Sequence, residues 1–271
     1  MPMARHHLFE FCDLAWLPTS LRSLTPTFLE AAFRITRSYT VAATPLAAAL
    51  RQTADRQLLD LGSGGAGPVL TVRSLLASRE GLEVKATLSD KFPSHAALHS
   101  AQQRQPGHID FIRESVDATQ VPADLPGFRT MFQILHHFRP DTARAILQDA
   151  VDCQRGIAIF EVTQRTPLGF LQLLLLPFAV LFATPFVRPL PLWRLLLTYV
   201  LPLAPLMITW DGFVSTLRSY TPAELTAMTQ SLTGPRYHWS QGHAWKGLQK
   251  ISWLIGYPEP AAVATSLRPT G

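Results

Sequence analysis

The stretch Asp60-Leu61-Gly62-Ser63-Gly64-Gly65-Ala66-Gly67 follows a short apolar run from Gln57 to Leu61 and precedes Val69 to Ser78, whose apolar residues have helical spacing. It satisfies G-x-G-x-x-G between a strand and a helix, where glycine lets backbone amides approach a ligand closely at a helix N-terminus. The predicted unit is strand, loop, helix, the start of a Rossmann-like α/β fold. By spacing alone, the loop fits a dinucleotide as well as any other nucleoside cofactor.

Charge separates these cofactors. Asp60 stands two residues ahead of the first glycine and is expected to turn its carboxylate toward the loop, where a pyrophosphate would be repelled and a cation welcomed. S-adenosylmethionine carries a sulfonium and an ammonium, so an acidic loop suits it. Asp90 ends a second apolar run, Val84 to Leu88, at the distance where a carboxylate binds ribose hydroxyls. Asp117-Ala118 follows a third run, Ile109 to Ile112, where an acceptor for the adenine amino group would be useful.

Working outward, the alternation continues. His95 to Gln103 reads as a helix, Thr130 to Leu135 as a fourth strand, Asp141 to Ala150 as a helix and Gly156 to Val162 as an apolar fifth strand. Strands alternating with helices predict a mostly parallel sheet covered on both faces. Leu8 to Leu50, broken by Pro18 and Pro26, reads as two or three short helices, giving an N-terminal cap over 1–50 and a cofactor-binding core over 51–166.

The series Leu58-Leu59-Asp60-Leu61-Gly62-Ser63-Gly64, Leu88-Ser89-Asp90, Ser115-Val116-Asp117-Ala118 and Leu135-His136-His137-Phe138 resembles class I S-adenosylmethionine-dependent methyltransferases over roughly Gln57 to Val162. The resemblance implies a seven-stranded sheet, S-adenosylmethionine as cofactor, and Asp60, Gly62, Ser63, Gly64, Asp90, Asp117 and Ala118 at the cofactor. One departure is Phe128-Arg129-Thr130, where many relatives open the fourth strand with an acidic residue. Further on, Trp210-Asp211-Gly212-Phe213, Leu217-Arg218-Ser219-Tyr220 and Leu254-Ile255-Gly256-Tyr257-Pro258 resemble a bacterial branch of these enzymes that shares an apolar insert.

Four residues are candidate bases for deprotonating a methyl acceptor. His136 and His137 follow the fourth strand, Glu161 ends the fifth, and Asp211 precedes a helix expected over Asp211 to Ser219. Helix capping and sheet-edge hydrogen bonding are the structural roles that compete with catalysis. Arg218 and Tyr220 are expected to make a surface pair or pack over the core. His238 and His243 lack a carboxylate or cysteine at ligand spacing and are expected to face solvent, and no metal site is expected.

The 271 residues are 47% hydrophobic and only 16% charged, so part of the chain prefers apolar surroundings. The preference concentrates after Thr166. Pro167 to Val187 holds no charged residue, and Pro189 to Thr209 holds only Arg194. Each run has bilayer-spanning length, yet the prolines between 167 and 205 oppose straight spanning helices, which predicts a broken helical hairpin over 167–210. It reads as a buried lid or as a monotopic anchor contacting a membrane through 167–209, with contact favoured. Both imply a greasy acceptor, a hydrophobic small molecule or lipid.

Thr221-Pro222-Ala223-Glu224 is a capping box. Tyr237 to Ser240 and Ile251 to Ile255, separated by Gly242 and Gly247, predict an edge hairpin completing the sheet within 211–258, ahead of a flexible tail over 259–271. The net charge of +5 is scattered without a basic run, which argues against nucleic acid. Cys12 and Cys153 have no metal-ligand spacing, and the first ten residues hold no secretory pattern, so a cytoplasmic location is expected, with the inner face of the cytoplasmic membrane open. The sequence leaves oligomeric state undefined. The expected activity is methyl transfer to an O, N or C atom. The alternatives are a membrane-associated binding or scaffold protein without turnover, and a nicotinamide-dependent oxidoreductase.

Overall fold

The computed structural model describes residues 3–188 and 190–259. Residues 260–271, most of the expected flexible tail, lie outside them. Strands β1 (Gln57–Leu61), β2 (Lys85–Ser89), β3 (Ile109–Phe111), β4 (Phe128–Phe132) and β5 (Ile157–Glu161) run parallel, and β6 (Tyr237–Lys246) and β7 (Gln249–Pro258) close the sheet as an antiparallel hairpin. The seven strands lie in the order β3-β2-β1-β4-β5-β7-β6. The order reverses beside β1, so β1 and β4 open a crevice at their carboxyl ends, where such sheets bind ligands.

Three helices precede the sheet: α1 (Thr19–Arg22), α2 (Leu24–Thr36) and α3 (Ala43–Thr53). Crossover helices α4 (Gly67–Glu80), α5 (His95–Arg104) and α6 (Pro140–Asp152) follow β1, β2 and β4. The central strands are buried on both faces, which explains why they read as apolar runs rather than alternations. One face packs Leu46, Leu50, Leu76 and Leu98 under α3, α4 and α5; the other packs Ile146 and Leu147 of α6. Each fully buried leucine contributes about 1.5–3 kcal/mol of transfer free energy.

Within the sheet the expected bounds shift at the fourth strand and at the hairpin. The fourth strand begins at Phe128 and ends at Phe132, because Leu135–His137 turns as a short 3-10 helix. The hairpin turns at Gly247 alone, and β6 continues through Gly242, where a β-carbon would lie 2.3 Å from the Trp253 ring. Gly242 is therefore a seat for an aromatic ring rather than a turn.

The apolar region also departs from a separate insert. It comprises α7 (Pro167–Leu173), α8 (Leu176–Ala183), α9 (Leu192–Leu195) with a π-helical turn over Leu196–Val200, and α10 (Leu203–Arg218). Helix α10 crosses the boundary expected at 210 and begins well before the helix expected at Asp211. Its Ala204, Met207 and Ile208 pack with Val180, Leu24 and Phe28, so its first turns belong to a small core shared with the N-terminal cap. Helix α11 (Pro222–Gln230) starts with the expected capping box, both of whose hydrogen bonds form.

No single described helix is long and apolar enough to cross a membrane. Two pairs reach the length only together. Pro167–Leu173 with Leu176–Phe186 is bent by 42°, and Leu192–Val200 with Leu203–Arg218 by 79°. Each pair is thus bent at a break rather than straight.

Candidate functional site

A cleft of about 340 Å³ lies at the carboxyl ends of β1, β2 and β4, at the small end of ligand-pocket sizes. Gly62, Asp90, Phe92, Val116 and Ala118 line one part of it; Gln133, Ile134, His137 and Asp13 line another. A larger depression of about 460 Å³ lies on the outer side of α2 and α4, away from the strand ends, and holds none of the candidate site residues.

The glycine loop is built for close approach. Gly62 has φ +70°, and a β-carbon there would sit 2.2 Å from Ile134 Cδ1, so the loop and the end of β4 meet across a glycine. Gly64, with φ +48°, faces open space within 4 Å, and its amide donates to Asp90 Oδ2 at 3.0 Å. Phe92 N donates to Asp90 Oδ1 at 2.9 Å. Each Asp90 oxygen retains a second lone pair, which leaves the carboxylate able to accept from a ribose diol. Glycine cradle, strand-end carboxylate and adjoining cleft together fit adenosylmethionine.

Three expected cofactor residues stand differently from the sequence reading. Asp60 does not present its carboxylate to the cleft: it is 3% exposed and accepts from Thr130 Oγ1 on β4 at 2.7 Å. Burial pushes its pKa up to about 7, the Thr130 and Ser63 hydroxyls oppose that, and the Asp90 charge adds to it. Any influence of Asp60 on a bound cation is therefore through the field rather than contact. Ser63 is buried too, its hydroxyl donating to Asp60 O and accepting from Ser89 N, so it pins the loop to the sheet. Asp117 lines the cleft, but its oxygens already accept from Lys91 Nζ at 2.6 Å and from the Thr119 amide and hydroxyl. The Lys91 bond, helped by Thr119, holds its pKa down at about 2. An adenine amino group must displace or share the Lys91 ammonium, while Ala118 borders the cleft without that competition.

The candidate bases separate as clearly. Asp211 is fully buried and accepts from Phe11 N at 2.6 Å, Cys12 N at 3.4 Å and Thr25 Oγ1 at 2.7 Å. It ties the N-terminal segment to α10 and reaches no cleft, which removes it as a base. His136 is 1% exposed and its Nδ1 lies 2.7 Å from Glu161 Oε2, beside a cavity of only about 20 Å³. Glu161 Oε1 accepts from Leu135 N at 2.8 Å. The His136–Glu161 pair braces the turn after β4, and neither member lines the cleft.

His137 does line it. Its Nδ1 lies 3.5 Å from Asp13 Oδ1, 3.9 Å from Glu10 Oε2 and 3.3 Å from Arg218 Nη1. Burial opposes its charged form, but the hydrogen bond to Asp13 and the nearby carboxylates win, and its pKa is raised above the ordinary histidine value. Asp13 is held down at about 2, burial being outweighed by His137 and Arg218. Glu10, His136 and His137 bring ligand-type atoms within 4.8 Å of one another. Arg218 Nη1, 3.0 Å from Glu10 Oε1 and 2.9 Å from Asp13 Oδ2, already supplies a cation inside that cluster.

Asp13, Glu10 and the buried Arg218 are the site residues that the sequence reading missed. Arg218 is 3% exposed and neutralises two carboxylates, rather than forming a surface pair. Arg5 completes the strap, donating to the carbonyls of Arg218, His136 and Phe138. These contacts join residues 131 to 213 positions apart, and no local pattern announces them. His238 and His243 are exposed on β6, as expected.

No protein-family model and no curated protein matches the sequence. Solved structures do match. Human N-acetylserotonin methyltransferase in complex with S-adenosylmethionine superposes with a TM-score of 0.50 at 15% identity, covering 89% of this chain and 56% of that one. An O-methyltransferase from neocarzinostatin biosynthesis, in complex with S-adenosylmethionine and 2-hydroxy-5-methyl naphthoic acid, gives 0.50 at 15% identity, covering 89% and 58%. The chain spans somewhat over half the length of each. The fold is that of the class I, Rossmann-like S-adenosylmethionine-dependent methyltransferases.

Proposed function

We propose that the chain binds S-adenosylmethionine in the cleft beside Gly62 and Asp90 and transfers its methyl group to an O, N or C atom of a hydrophobic small molecule or lipid. The observation that carries this reading is the joining of two halves in one cleft: a glycine cradle with a strand-end carboxylate, and an imidazole backed by Asp13. The bound cofactor would supply an electrophilic methyl carbon on a sulfonium leaving group. Gly62, Gly64, Asp90 and Ala118 would hold it, with Phe92 flanking the cleft beside Asp90.

His137 would take the proton of an acceptor that carries one, while Asp13 keeps the imidazole oriented and stabilises the imidazolium. Positioning supplies most of the remaining rate, since fixing nucleophile and methyl in a near-attack arrangement is worth up to roughly 7–11 kcal/mol. A greasy acceptor is favoured by the apolar side chains lining the cleft, among them Val116, Met131, Phe132 and Phe138. No described residue of 167–209 lines the cleft. Incubating the full chain with isotopically methyl-labelled adenosylmethionine and extracted host lipids and metabolites tests the reading. A labelled apolar product is expected. Saturable cofactor binding with no labelled product from any extract would favour a binding or scaffold role.

A further inference from the structure

We propose that the outer face of α7–α10, together with the β6–β7 turn, is a monotopic docking surface for the anionic face of a phospholipid bilayer. The inference does not rest on methyl transfer. Large apolar side chains stand in water along this face: Leu174 is 66% exposed, Phe178 68%, Phe182 78%, Leu192 83% and Val200 68%. Val180 is the one fully buried residue of α7 and α8. Large apolar side chains clustered on an exposed face mark an interaction site.

The hairpin extends the face. Gln172 Nε2 on α7 donates to Leu248 O at 2.5 Å, which fixes the β6–β7 turn beside the helices. That turn carries Trp245, 50% exposed, and Leu248, 75% exposed, next to Lys246. A separated part of the chain thus adds two apolar side chains and a cation to the same surface.

Charge and shape select the occupant. Arg188 and Lys246 are exposed here, whereas Arg165 and Arg194 are buried, Arg165 against Glu224; neither 163–209 nor 237–258 holds an Asp or Glu. A second copy of this face would oppose cation to cation, with no carboxylate in either segment to answer it. Anionic lipid headgroups do answer it. The bends of 42° and 79° prevent either helix pair from crossing as a rod, and suit elements lying in the interface with apolar side chains down. Tyr199, 49% exposed with its hydroxyl on Leu181 O, has the amphipathic form favoured at that depth.

The test uses the full chain and sedimentation with vesicles of phosphatidylcholine alone or mixed with phosphatidylglycerol. The chain is expected to pellet with the vesicles, roughly tenfold more tightly with the anionic mixture. Phe178→Ser/Phe182→Ser and, separately, Trp245→Ser/Leu248→Ser should each weaken partition by about tenfold. Arg188→Gln/Lys246→Gln should erase the preference for phosphatidylglycerol. These side chains are exposed, so thermal unfolding and adenosylmethionine binding of each variant should match the parent. The proposal is overturned if the chain stays in the supernatant with both vesicles, if the apolar variants pellet like the parent, or if sedimentation equilibrium shows the same substitutions dissolving a stable dimer instead. Loss of cofactor binding with vesicle binding intact would count against the methyl-transfer reading alone.

Discussion

Asp60 is buried, and its carboxyl group accepts from Thr130 Oγ1 across the seam of β1 and β4. Its place ahead of the glycines suggested a carboxylate at the loop mouth, but the strand alternation turns it toward Thr130, inside the sheet. A buried acid whose pKa is raised from 3.8 to about 7 contributes stability that is full below pH 4 and lost as pH rises toward 7. Asp60→Asn keeps an acceptor for Thr130 and removes that loss. Urea unfolding should show the variant gaining on the parent between pH 4 and 8 by a few kcal/mol, at about 1.36 kcal/mol per pK unit. Equal pH dependence of the two proteins would refute the burial argument.

His137 gives the second prediction at this scale. As a base it must be neutral, and Asp13 holds its pKa above the ordinary histidine value. The acidic limb of kcat/KM should therefore have its midpoint above about 6.5. Asp13→Asn removes the bond that raises it, so the midpoint should fall, and the variant should retain more of its own maximal rate at pH 6. A limb that does not move would make His137 structural.

Among the elements, β4 explains its own anomaly. Arg129, in the stretch that departs from the resemblance, is 1% exposed and pairs with Asp149 of α6 at 2.6 Å. The strand and its crossover helix are thus joined by an ion pair within the core, where removing one partner strands a charge. Asp149→Ala should destabilise the fold by about 3–5 kcal/mol, read by chemical denaturation. A loss below about 1 kcal/mol would mean that water reaches the guanidinium.

The elements that the sequence made legible share a property. Each of β1, β2, β5 and the capping box at Thr221 is specified by residues within a few positions of one another, and each lies within one or two residues of where it was expected. Gly242 and Asp211 were misread because their roles depend on Trp253 and on Phe11, Cys12 and Thr25, which folding brings from a distance. The glycine loop and Asp90 were legible as a candidate site for the local reason; Asp13, Glu10 and Arg218, on the same cleft or behind it, were not, for the distant one.

At the scale of the whole molecule, the N-terminal segment, α10 and the turn after β4 form one unit beside the cofactor cleft. Arg5 bonds to Arg218, His136 and Phe138, and Asp211 holds Phe11 and Cys12. Excising residues 168–208 would remove the first turns of α10 along with the apolar face, so surface substitutions are the cleaner probe of that face.

Calorimetric titration of the full chain with S-adenosylmethionine shows whether the cleft beside the glycine loop holds this cofactor. One saturable site is predicted, weakened by about tenfold or more in Asp90→Ala, which loses the ribose acceptor and the anchor on Gly64 N. Absence of saturable binding, affinity unchanged by Asp90→Ala, or tighter binding of a nicotinamide dinucleotide would contradict it.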